Sequence, residues 1–100
     1  MNLRSAQYLQ LIALHDGRIV DDKNDPLRHL DPDMLPVIGP DGSQIHVTGL
    51  SVNPARLSLP RQLLREFVDH SYVEEDRAQE TPGREVFRLT QDGRKAGQIT

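Results

Sequence analysis

The side chains of this sequence that could do chemistry are arginines, aspartates and histidines, and none of its 100 residues is cysteine. Disulfides, thiolate metal sites and cysteine nucleophiles are therefore excluded, and the absence fits a reducing cytoplasm, the expected location. His15, His29, His46 and His70 are scattered. No two of them have the i, i+4 spacing by which one helix presents two imidazoles to a metal. Asp21-Asp22-Lys23-Asn24-Asp25-Pro26 has the carboxylate density of a calcium loop. It puts Lys23 where a ligand belongs and Pro26 where glycine is required, so it fails as one. The other carboxylates sit in polar stretches, where no apolar pocket would raise a pKa for acid–base work. Nucleophile elbow, phosphate loop and dinucleotide fingerprint are all missing. The expectation is a binder without metal or cofactor, not an enzyme.

Arginine is the exception to this thin inventory. Net charge is −3, with a pI near 5.7, and the charge is unevenly distributed. Residues 1–50 hold four basic groups against seven aspartates, whereas residues 51–100 hold eight of each sign. Seven of those eight basic groups are arginine. A guanidinium makes planar, bidentate contacts with phosphate or carboxylate, so the second half is the expected interaction surface. The acidic pI opposes nucleic acid, whose binders carry a basic footprint. The N-terminus lacks the basic start and apolar run of a signal peptide, and no stretch approaches the roughly 20 apolar residues that span a bilayer. A soluble protein is expected, with no membrane partner.

The elements that must position these groups read as α+β. Only 36% of residues are hydrophobic and four are aromatic, so the core should be Leu, Ile and Val anchored by Tyr8, Phe67, Tyr72 and Phe87. Length fits one domain over residues 1–100. A helix is expected over about residues 4–15, capped by Ser5 and ended by Gly17. Residues 21–33, with two Asp-Pro pairs and five acids, read as an exposed loop. Two β-prone runs, Met34-Leu-Pro-Val-Ile and Ser43-Gln-Ile-His-Val-Thr, flank Gly39-Pro-Asp-Gly as in a hairpin, with Pro36 restricting the first to a sheet edge. Asn53-Pro54 opens a short helix that Pro60 interrupts, and Ser58 caps a second running to about His70. In the second helix Leu63, Leu64, Phe67 and Val68 form an inward stripe, with Arg61, Gln62, Arg65 and Asp69 outward. Tyr72-Val-Glu and Glu85-Val-Phe-Arg-Leu-Thr are strands joined by a projecting loop at residues 76–84, and Thr90 caps a last helical turn.

The second half resembles a winged helix-turn-helix. The matching pieces are Leu63-Leu64-Arg65-Glu66-Phe67-Val68, then Tyr72-Val73-Glu74, and finally Phe87-Arg88-Leu89-Thr90-Gln91-Asp92-Gly93-Arg94. Residues 44–48 stand for the family's short first strand. Two departures accompany the match: the helix at 54–57 is shorter than the family's, and 17–42 is an irregular insertion with a hairpin. The resemblance implies helices packed on a small antiparallel sheet with a β-hairpin wing. It also implies a small DNA-binding transcriptional regulator whose recognition helix enters the major groove. Carried over, Arg61, Gln62 and Arg65, with Arg56 just ahead, would meet bases and phosphates, and Arg77 and Arg84 on the wing would meet the backbone. Arginine pairs with guanine and glutamine with adenine. Four or five arginines on phosphates would give a log–log salt slope of roughly −4. Dimerisation, common in winged helices, would double the contacts. The alternative is a winged-helix protein-interaction module, a small accessory or inhibitor protein that does not bind DNA.

Overall fold

The computed structural model describes residues 3–47 and 55–98. Helix α1 (Leu3–Leu14) buries Ser5, Tyr8, Leu9 and Ile12, one stripe at helical spacing. Ser5 is thus inside the helix and is not its cap. The helix stops because Asp16 takes a positive φ of 47° and the Gly17 N–H closes back onto the Ile12 carbonyl. Gly17 is needed there for space, since a Cβ would lie 2.5 Å from Val37 Cγ1.

Strand β1 (Arg18–Asp22) follows at once and runs through the middle of the sheet. Residues 17–42 are therefore not irregular: Ile19 and Val20 are core, and β1 is the central strand of the sheet. Helix α2 (Pro26–Leu30) replaces the expected loop. Asp25 caps it by accepting from the Leu27 N–H, and Pro26 fills the first helical position, where no N–H is needed.

Strand β2 (Met34–Ile38) leads into the expected turn, closed by the Gly39 N–H on the Ser43 carbonyl. After the Ile38–Gln44 bridge and one bond from the Ile45 N–H to the Val37 carbonyl the chain leaves β2: β3 (His46–Val47) pairs with β4 (Ala55–Arg56) in a separate two-stranded ribbon. Residues 44–47 therefore add no strand to the β6–β7 side of the main sheet, where β1 is the neighbour of β7. Strand β5 (Ser58–Pro60) returns to β2, so the expected helices at 54–57 and from Ser58 are absent over residues 55–60. Asn53 and Pro54 lie outside the described residues.

The main sheet is antiparallel, in the order β5-β2-β1-β7-β6. Pro36 is not on an edge strand. The Val37 N–H donates to Leu57 on the β5 side, so alternation directs the missing N–H of Pro36 toward β1. There the β1–β2 pairing stops at Ile19–Val37. The proline thus ends one ladder and leaves the other intact.

Helix α3 (Arg61–Asp69) starts directly from β5 without a side-chain cap. Leu64 and Phe67 are buried and Leu63 is half-buried, but Val68 is 46% exposed, so the inward stripe is narrower than its sequence suggests. Strands β6 (Val73–Glu75) and β7 (Arg84–Leu89) pair as expected, with Val73 opposite Leu89. The connection between them does not project. It forms a 3-10 turn over Arg77–Gln79, and the Lys23 N–H donates to the Gly83 carbonyl at 2.8 Å. Helix α4 (Gln91–Ala96) is capped by Thr90, whose hydroxyl accepts from the Gly93 N–H. A Cβ at Gly93 would fall on the Tyr72 carbonyl, so only glycine lets α4 lie against the turn before β6.

Ile19, Leu35, Val37, Leu59 and Leu89 join Tyr8, Leu9, Ile12 and Phe67 in one core on one side of the sheet. The alternate residues, Val20, Met34, Pro36, Ile38, Arg84, Val86 and Arg88, face the other side.

Candidate functional site

Two buried carboxylates, Asp21 and Asp76, engage four of the ten arginines. Asp21, 9% exposed, points from β1 toward the helices. Arg61 Nη1 donates to its Oδ2 at 3.0 Å, and Arg61 also donates twice to the Pro32 carbonyl, through Nε at 3.1 Å and Nη2 at 3.0 Å. Arg28 Nε lies 3.1 Å from Asp21 Oδ1, yet neither atom has a hydrogen bond; this is a charge contact only. One carboxylate therefore joins β1, α2, α3 and the turn before β2. Asp76, 6% exposed, accepts from Arg18 Nε at 3.2 Å and lies 3.9 Å from Arg88 Nη1. Arg88 also donates to Glu74, its cross-strand neighbour.

Asp16 completes the cationic bookkeeping near α1. A hydrogen bond from Arg18 is the main reason its carboxyl sits below the ordinary value, with a weaker contribution from Arg94. Asp41, in the turn after β2, is likewise held low by the Ser43 hydroxyl and amide.

The six residues that the winged-helix resemblance assigns to DNA do not form one surface. Arg61 faces inward, not outward, for the reason just given. Gln62 and Arg65 are exposed on α3 and have no partner among the described residues. Arg56 is exposed on β4. Arg77 is largely exposed, 3.7 Å from Glu75. Arg84 donates to the Gln79 carbonyl and lies on the sheet face opposite α3. Its neighbour Glu85 lines a groove on the α3 side together with Asp21, Arg61, Arg65 and Val68. The solvent face of α3 thus carries Arg65 against Glu66 and Asp69.

A second depression is lined mainly by apolar surface. On the open sheet face a cavity of about 260 Å³ is lined by Val20, Met34, Pro36 and Ile38 on the strands and by Leu27 and Leu30 on α2. Leu30 is 81% exposed and Leu27 45%. Sequence reading missed this site because it took α2 for a loop, although Asp25-Pro26 is the same cap-plus-proline signal it accepted at Asn53-Pro54. Among the described residues no group of three or more His, Asp or Glu could hold a metal, and no helix is long and apolar enough to cross a membrane.

Compared with family models, curated proteins and solved structures, the chain matches none.

Proposed function

We propose that this chain is a winged-helix-derived module that binds a protein partner in the cytoplasm and does not read DNA. The kinship rests on order: α1, β1, α3, β6, β7, with β1-β7-β6 as the winged helix's three-stranded sheet. Strands β2 and β5 stand where the first helix of a helix-turn-helix would be. The observation that carries the function is the composition of α3's solvent face, one free arginine against two acids. A phosphate backbone is met by concentrated positive charge, and here most guanidinium groups already answer carboxylates of the same chain. Arg56 and Arg65 alone would give a salt slope of only about −2.

The DNA-binding regulator remains a second reading. Gln62 and Arg65 sit together on the first turns of α3, and a dimer would double them. Fluorescence anisotropy of a labelled random-sequence duplex at low salt separates the two. No binding at micromolar protein is expected. Salt-dependent binding that disappears in a folded Gln62→Ala, Arg65→Ala double variant would overturn the proposal. Arg61→Ala is unsuitable for this test, because that side chain holds the fold.

A further inference from the structure

The open-face groove has a definite chemistry, and it deepens the reading of the chain as a protein-binding module, on which it rests. Its floor and one wall are apolar: Val20, Met34, Pro36 and Ile38 from the strands, Leu27 and Leu30 from α2. A leucine four-fifths exposed, less than one helical turn from a half-exposed one, is costly to leave in water on so short a helix. Burial of such a side chain is favoured in proportion to the apolar area taken out of water, so a ligand that covers it gains affinity there.

The rim is acidic. Asp22, Asp25 and Asp31 all line the groove. Asp22 accepts from the Asn24 N–H and Asp25 from the Leu27 N–H, each through one oxygen. The second oxygen of each, and both of Asp31, have no hydrogen-bond partner among the described residues. Of the two arginines at the groove, Arg28 is already in contact with Asp21, and Arg56 stands at the β4 end. The charge left for a partner is therefore negative around α2.

We infer that this groove takes a basic amphipathic segment of a partner protein, with a large apolar side chain against Leu27, Leu30 and Ile38 and lysine or arginine beside Asp22, Asp25 and Asp31. The acidic rim repels nucleic acid and anionic lipid, and a hydrophobic floor suits a side chain rather than a free ion. Opposite charges flanking an apolar anchor also fix register and speed encounter.

The test uses the full chain labelled with 15N and a synthetic leucine–lysine amphipathic peptide as probe, with its leucine–glutamate counterpart as control. The lysine peptide should shift the amides of Leu27, Leu30, Met34 and Ile38, more weakly as salt rises, and the glutamate peptide should not. Leu30→Ser changes an exposed side chain and should leave the spectrum of the free protein intact. It should weaken binding about tenfold, the effect of one interface anchor. Asp22→Asn with Asp31→Asn should flatten the salt dependence.

Equal binding of both peptides, shifts centred on α3, or no shift at all would overturn the groove assignment. So would self-association through Leu30, seen as a dimer by light scattering that Leu30→Ser abolishes. If the duplex titration is also negative, only the groove assignment has failed. If the duplex binds, the protein-binding reading has failed with it.

Discussion

Asp21 and Arg61 show how one ion pair can outweigh a helix's apparent outward face. On α3, Arg61 and Arg65 differ by one turn and would be equivalent on a free helix. In the fold Arg61 reaches Asp21 and Pro32, while Arg65 reaches solvent. Removing one partner of a buried pair leaves the other uncompensated. Because the Arg61 side chain is about a quarter exposed, Arg61→Ala should cost nearer 2 kcal/mol than the 3–5 of a fully buried pair. Arg65→Ala should change stability by less than about 0.5 kcal/mol. Urea unfolding of the two variants checks the contrast, and equal effects would show that the Asp21 clamp is not formed. Asp16 gives a pH signature. Its folded pKa lies below 3.8, first because of the Arg18 hydrogen bond. It therefore contributes stability above the unfolded value, and this is lost as pH falls through the folded one. A carboxyl NMR titration should find Asp16 below ordinary aspartate and Arg18→Gln moving it upward.

Helix α2 and strand β5 are elements whose type is decided by their neighbours as well as by local sequence. Asp25 supplies the cap and Pro26 the first turn of α2, so Asp25→Ala should cost about 1 kcal/mol and speed hydrogen exchange at Leu27 to Leu30. Unchanged exchange there would mean that packing, not the cap, holds the helix. Phe67 is the buried anchor of α3, and Phe67→Ala should cost about 3–5 kcal/mol by thermal melting, against under 1 for the exposed Val68→Ala. The helical spacing at Tyr8, Leu9 and Ile12, the ribbon of β6 with β7, and Thr90 as a cap were all legible, because each rests on contacts close in sequence. Strand β1 and the β2–β5 pairing were not. Arg18 and Asp22 bracket β1 with charge, and its partners lie as far away as Phe87. Leu57 and Leu59 are apolar at alternate positions, but Pro54 and Pro60 on either side mimic helix boundaries. For the site, arginine as the informative residue type was legible. That buried aspartates hold Arg18, Arg28, Arg61 and Arg88 was not, since Asp21 and Asp76 look like any loop acids until the sheet buries them.

For the molecule as a whole, α1, α3 and α4 cover one face of a five-stranded sheet, and the other face keeps an apolar groove beside α2 with an acidic rim. Charge follows this division: Arg28 and Arg61 tie α2 and α3 to Asp21 of the sheet, and the surface around α2 is left with a negative balance. The proposed protein-binding role requires that strand β5, not a helix, precede α3, because a helix there would complete a helix-turn-helix and its DNA geometry. The alternation of hydrogen bonds makes Pro36 and Ser58 a non-hydrogen-bonded antiparallel pair, whose α-carbons lie close together at about 4.5 Å. Two-dimensional NMR on the labelled chain should therefore show an Hα–Hα cross-peak between Pro36 and Ser58 and extended-strand carbon shifts over residues 55–60. Helical shifts across those residues with no such cross-peak would contradict it.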